Sequence, residues 1–164
     1  MIDLTFDPDG TARCGWCGDD PLYRAYHDDE WGHEKRGDDA LFELLSLEGF
    51  QAGLSWLTIL RKREGFRAAF AGFEPRAVAA FGERDVERLL ADAGIVRHQG
   101  KIRSTINNAA RAVEMIEQHG SLAAFFWPHA TFSDDAPVSI PALTETSTML
   151  SKQLKRLGWS FVGP

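Results

Sequence analysis

Four groups of residues have types and spacings that could do chemistry. The first is aromatic: Trp16, Tyr23, Tyr26 and Trp31 fall within sixteen residues and include both tyrosines of the chain. Aromatics usually fill cores, but tryptophan and tyrosine inside an acidic run also suit a cavity that stacks a flat, polar ligand. The second is Glu48, which occupies position i+7 of the stripe Leu41, Leu44, Leu45, Glu48. That position turns a carboxylate toward the interior, at a cost of several kcal/mol unless a partner satisfies it. An arginine or the helix start near Ser55 would serve, and so would a cationic or hydrogen-bond-donating ligand. The third is Asp92-Ala-Gly-Ile-Val-Arg-His-Gln-Gly-Lys-Ile102, a glycine-led hairpin followed by bases. It can offer backbone N–H groups and a helix start to a phosphate, or be an ordinary helix connection with a solvated basic face. The fourth is Cys14-x2-Cys17-x9-His27-x5-His33. Its middle spacer is shorter than that of a zinc finger and holds Asp19, Asp20 and Pro21 instead of finger hydrophobics. The βαβ setting of a Cys-x-x-Cys redox motif is also missing.

Charge distribution says more than its sum. The net charge is −6, yet residues 1–48 hold thirteen acids and four bases, a net of −9, which leaves +3 for the remaining 116. No acid lies between Asp92 and Glu114, while Arg97, Lys101, Arg103 and Arg111 give that stretch +4. It reads as a phosphate-facing surface on an otherwise acidic protein. At 164 residues, 44% hydrophobic, the chain suits one globular domain. Apolar runs such as Leu122 to Trp127 fall far short of the ~20 residues that span a bilayer. The start, Met-Ile-Asp-Leu-Thr-Phe-Asp, lacks the basic and apolar regions of a signal peptide, so a cytoplasmic location is expected, with no membrane partner. Two cysteines three apart make no disulfide framework.

These groups must be positioned by helices, because strand patterns are nearly absent. Asp20-Pro21 is an N-cap and first helical position for a helix to about Trp31, with Tyr23, Tyr26, His27 and Glu30 on one face. A second helix begins at Asp38 and Asp39, and a third runs from about Leu54 to Ala71 after Gly49 and Gly53. A short helix follows Pro75 to Ala80, another spans Glu83 to Asp92, and a long one runs from about His98 to Gln118 with a cap at His119-Gly120. Pro128 to Leu143 reads as loop. A last helix covers about Thr146 to Leu157. Residues 1–12 read as a flexible extension of an all-α globule.

Taken together, Arg13-Cys-Gly-Trp16, Asp20-Pro-Leu-Tyr-x-Ala-Tyr-His27, Glu30-Trp-Gly32, Leu47-Glu-Gly-x-Gln-Ala-Gly-Leu-Ser-Trp56 and Asp92-Ala-Gly-Ile-x-Arg-His-x-Gly-Lys-Ile102 resemble the DNA-3-methyladenine glycosylase I family. The resemblance runs from about Arg13 to Val162 and implies a helix-hairpin-helix DNA glycosylase fold. It also implies hydrolysis of the N-glycosidic bond of 3-methyladenine in double-stranded alkylated DNA after base flipping, as DNA repair, with the free base as product. By the same resemblance Glu48 contacts the extruded base. Trp16, Tyr26 and Trp56 wall the pocket, with Tyr23 and Trp31 beside them. Gly53 and Leu54 lie where the flipped base leaves a gap, and Gly94, Arg97, Gly100 and Lys101 hold the DNA backbone.

A lyase would require a lysine nucleophile in the base pocket, so a monofunctional enzyme acting as a monomer is expected. Related glycosylases place an aspartate about twenty residues beyond the hairpin. Here Glu114-Met-Ile-Glu-Gln-His-Gly-Ser121 has none, and Glu114 and Glu117 read as a solvated helix face. The resemblance further implies structural zinc on Cys14 and His27, with a His and a Cys from a segment following Phe161-Val162-Gly163. Only the first two fall within the 164 residues, so a partial site is expected, with Cys17 as a possible third ligand. Two other readings differ in class: a catalytically silent damaged-DNA-binding module, and a protein-interaction globule whose basic stretch binds DNA no better than a generic surface.

Overall fold

The computed structural model describes residues 3–130 and 140–164. Among them the α-helical reading holds: α1 Pro21–Asp29, α2 Asp38–Gln51, α3 Trp56–Arg61, α4 Arg63–Ala69, α5 Pro75–Ala79, α6 Glu83–Ala91, α7 Gln99–His119, α8 Leu122–Phe126 and α9 Glu145–Arg156. The expected third helix is two, parted at Lys62. Leu122–Phe126 adds a turn of helix capped by Ser121. Most of the loop expected over 128–143 lies outside the described residues. The chain clusters into two compact units, 1–34 with 131–142, and 35–130 with 143–164.

In the first unit, residues expected to be a flexible extension form a hairpin. Strands β1, Leu4–Phe6, and β2, Ala12–Cys14, pair antiparallel with Leu4 opposite Cys14 and Phe6 opposite Ala12. The turn is Asp7-Pro8-Asp9-Gly10, closed by Gly10 N–H donating to the Asp7 carbonyl at 2.9 Å, with Gly10 at φ +87°. Proline, aspartate and glycine in this order are turn formers, a signal outweighed in the sequence by the shortness of the flanking strands. Met1 and Ile2 lie outside the described residues. The Arg13 guanidinium joins Asp7 to Asp28 and so fastens the hairpin to the end of α1. Asp20 caps α1 by accepting from the Leu22 and Tyr23 amides at 2.9 and 3.3 Å.

The second unit is built on a ladder of phenylalanines. Phe50 lies 4.6 Å from Phe66, Phe70 lies 5.5 Å from Phe73, and Phe73 meets Phe42 at 6.2 Å; these five rings are fully buried. Their positions fix the buried face of α2 as Leu41, Phe42, Glu43, Ser46, Leu47 and Phe50. This corrects the expected stripe: Leu44 and Leu45 are half-buried and Glu48 is exposed. The aromatic volume at Phe42 and Phe50 decides which face turns in, and it rotates α2 away from the leucine register.

The carboxylate that is buried on α2 is Glu43, 6% exposed. It is neutralised by Arg63 and by Arg67, whose Nε and Nη2 donate to its two oxygens at 2.9 Å each. A buried carboxylate held by two guanidiniums costs little while intact and much when one side is removed. Glu43→Ala is expected to destabilise the fold by about 3 kcal/mol, read as a lower urea midpoint at unchanged slope.

Candidate functional site

In the first unit, Trp16 is the centre of a ring cluster. Its ring centroid lies 5.1 Å from Tyr23, 5.2 Å from His27 and 5.2 Å from Trp31, and Trp31 stacks on His27 at 5.7 Å. Tyr26, half-buried, shares α1 with Tyr23 and His27. Trp16 and Trp31 each keep 37% of their surface exposed, so flat π faces remain open to a planar ligand. The Tyr23 phenol is pushed up by burial and stays a neutral donor at physiological pH.

His27 is held by both ring nitrogens. Nε2 accepts the Cys14 backbone N–H at 3.3 Å, and Nδ1 lies 2.8 Å from Asp28 Oδ1. One tautomer, with its proton on Nδ1, satisfies both contacts. Asp28 is drawn down to about 2, first by its hydrogen bond from Arg13 and then by that from His27. Cys14 and Cys17 are buried free thiols. Among the described residues no group of three or more His, Cys, Asp or Glu side chains is placed to hold a metal ion. The contact of Cys14 N–H with His27 Nε2 sets the two expected zinc ligands next to each other.

In the second unit, Glu48 opens onto a cleft of about 590 Å³ lined by Leu45, Ala52, Leu154, Phe161 and Val162. The side chain has surface exposure into that cleft, yet enough protein surrounds it that burial pushes its carboxyl above the usual glutamate range. Among the described residues no hydrogen bond or ion pair engages it, although Lys155 lines the same cleft. The helix start at Ser55 caps itself, with Ser55 Oγ accepting from Thr58 N–H at 3.2 Å. Neither protein partner considered for Glu48, a helix start or an arginine, is used.

The chain beyond Glu48 makes a tight turn. Ala52 at φ −46°, ψ 114° and Gly53 at φ +81°, closed by Leu54 N–H donating to the Gln51 carbonyl at 2.6 Å, form a type II turn, whose third position needs glycine. The turn leaves Leu54 41% exposed. Trp56, by contrast, is 7% exposed at the start of α3, more core than open wall.

The hairpin joining α6 to α7 carries Gly94 in an Asx turn, its N–H donating to Asp92 Oδ1 at 2.7 Å. It packs on α4 so closely that a Cβ on Gly65 would meet the Gly94 carbonyl oxygen at 2.5 Å. Lys62 Nζ donates to the Ala93 carbonyl at 2.8 Å. Arg97 and Gly100 are exposed, as a phosphate-facing hairpin requires. Lys101 is not: it is 7% exposed, and its Nζ donates to the carbonyls of Phe50 and Ala52 at 2.8 and 2.5 Å. The reading of Lys101 as a phosphate contact is therefore corrected. The ammonium caps α2, where the end of a helix leaves carbonyls unpaired and favours a cation.

The local +4 also contracts. Arg103 forms a two-pronged pair with Glu83 at 2.7 Å for each prong, and Arg111 pairs with Glu114 at 2.9 Å. Of the four bases only Arg97 is exposed and without an ion pair among the described residues. Glu114 and Glu117 are solvated, as expected, the latter facing Arg76 at 3.2 Å. Sequence reasoning missed Glu43 and Phe161; the Arg63/Arg67 spacing on the facing helix was the available signal for the first.

Comparison with known proteins gives a consistent result. A family model described as methyladenine glycosylase matches residues 16–164. The chain is 50% identical over 157 residues to DNA-3-methyladenine glycosylase 1 of Escherichia coli K12, covering 92% of this chain and 83% of that protein. It is 39% identical over 158 residues to the DNA-3-methyladenine glycosylase of Haemophilus influenzae, covering 93% and 85%. Among solved structures, the 3-methyladenine DNA glycosylase I of Staphylococcus aureus, studied for its recognition of 3-methyladenine, superposes with a TM-score of 0.85 at 37% identity, covering 92% of this chain and 83% of that one.

The two bases of the hairpin and its following helix, Arg97 and Lys101, are expected to behave differently. Arg97→Ala should weaken binding to all duplexes alike and make the salt slope shallower by about one counterion. Lys101→Ala should leave that slope unchanged while lowering the urea midpoint, because two carbonyls lose their donor at a cost of about 1–3 kcal/mol. A filter-binding salt titration and a denaturant melt check both.

Proposed function

Since the chain belongs to the methyladenine glycosylase family, we propose that it hydrolyses the N-glycosidic bond of 3-methyladenine in alkylated double-stranded DNA, acting as a monofunctional repair enzyme. The observation that carries this is Glu48: a partly desolvated carboxylate, unpaired among the described residues, opening onto a cleft. Such a group awaits a cation, and an N3-methylated adenine still joined to its sugar is one.

The chemistry follows from that charge. Methylation at N3 makes the base a good leaving group, so its departure needs less acid assistance than that of an ordinary purine. Water adds to C1′ as the C–N bond breaks, the base leaves as neutral 3-methyladenine, and one proton goes to solvent. What the protein contributes is recognition and exposure of the lesion. Glu48 is assigned the positive edge of the extruded base. Stacking of a desolvated cation on an aromatic ring, assigned beside Glu48 to Trp56, is worth about 0.5–2 kcal/mol. Neutral adenine would leave the carboxylate unpaired and lose much of this stabilisation.

Base extrusion leaves a gap in the duplex that an apolar side chain fills in many enzymes of this kind. Leu54, held out by the Gly53 turn, is assigned that role, and the Gly94 to Gly100 hairpin with Arg97 the backbone contact. Among the described residues no helix is long and apolar enough to cross a membrane.

Incubation of the protein with methylated duplex DNA, followed by mass spectrometry of the released bases, is expected to yield free 3-methyladenine and no free adenine, with abasic sites left unnicked. Binding without release would instead identify a silent damage-binding module. Neither binding nor release would leave an interaction globule.

A further inference from the structure

Phe161 sits in a conformation that its residue type disfavours. Its φ is +52°, a left-handed backbone costing a side-chain-bearing residue about 1–3 kcal/mol. The ring gains little burial in return, since the residue stays 45% exposed. The flanking chain holds it there. The Ser160 carbonyl accepts from Ser104 Oγ at 3.0 Å and Asn108 Nδ2 at 2.8 Å, and Ser160 N–H donates to Asn108 Oδ1 at 2.9 Å. On the other side the Val162 carbonyl accepts from Ser151 Oγ at 2.9 Å. Two helices, α7 and α9, thus spend buried polar side chains on fixing one exposed aromatic.

Phe161 stands in the wall of the functional cleft. The Phe161 carbonyl oxygen and Cβ would lie 3.3 and 3.6 Å from a Cβ on Gly49, the residue next to Glu48. The ring stands edge-on to His98 at 6.3 Å, the residue that caps α7 through Lys101 N–H at 3.2 Å, and it lines the cleft onto which Glu48 opens. We propose that Phe161 is a specificity-determining wall of the base site, a rigidly presented apolar face that packs against the planar cationic base held by Glu48. This rests on the functional reading above. Strain kept by over-determined contacts beside a cleft is characteristic of residues that serve a ligand, and an aromatic face rewards a flat purine whereas an aliphatic one of similar volume does not.

The test uses the full chain and free 3-methyladenine as probe, with binding read by calorimetry and fold by thermal melting. Wild type should bind. Phe161→Leu should lose about tenfold in affinity, and Phe161→Tyr, which keeps the ring, should stay within about twofold. Phe161→Gly removes the ring while relieving the backbone. It should melt no lower than wild type and bind as weakly as Phe161→Leu, so it carries the test if the leucine variant fails to fold. Wild-type affinity in either ringless variant overturns the proposal and leaves Phe161 as packing. No binding by wild type overturns the functional reading, and this proposal with it.

Discussion

A carboxylate can be presented to a cleft without a protein cation only if the helix that bears it is fixed by other interactions. On α2 this requirement is met at both ends of one short stretch. Glu43 faces inward and is neutralised by Arg63 and Arg67, which locks the rotation of the helix. Lys101 reaches from the start of α7 into the last carbonyls of α2, which fixes its end and the turn that follows. Between these two anchors Glu48 is left facing the cleft with no ion pair among the described residues. The cations packed against α2 are spent on its last carbonyls and on Glu43, and on the proposed function the cation that meets Glu48 is the ligand.

The same anchors connect recognition to DNA binding. Lys101 belongs to the hairpin helix, so the Gly94 loop, the Gly53-Leu54 turn and Glu48 are joined through a single ammonium group. The Gly65 and Gly94 backbones, packed without side chains, fix the hairpin from the opposite side. Side chains that would hold phosphate, fill the gap in the duplex and meet the base therefore sit on elements with little freedom to shift independently. Such pre-organisation spends less of the binding energy on ordering the protein.

Much of this was legible in the residues. Caps at Asp20, Ser55 and Gly120, prolines at 21 and 75, and the glycines around the hairpin place the expected helices within one to three residues of their observed ends, apart from the break at Lys62, while α8 was not foreseen. These signals are local, and local hydrogen bonding obeys them. The register of α2 was not legible beyond Leu41, because Leu44 and Leu45 compete with Phe42, Leu47 and Phe50 for the buried face. Only the phenylalanine ladder, assembled from distant segments, settles which face wins. Pairing failed for the same reason: Arg103 and Lys101 read as a basic surface until Glu83, twenty residues upstream, and the carbonyls of α2 are brought beside them. Glu48 was singled out for an interior position it does not occupy, though the property that matters, the lack of an internal partner, survives the correction.

The central claim is that an ionised Glu48 supplies the charge that selects a cationic base. Single-turnover excision of 3-methyladenine from methylated DNA, followed across pH for wild type and Glu48→Gln at subsaturating enzyme so that the rate reports the free protein's groups, tests it most directly. Because burial raises the Glu48 carboxyl above its ordinary value of 4.5, wild-type excision should fall as pH drops through a midpoint above that value. The glutamine variant, natively folded, should be slower by about tenfold or more, which is about 1.4 kcal/mol of transition-state stabilisation, and should lack that acid limb. A glutamine variant with the wild-type rate and the wild-type profile would contradict the account.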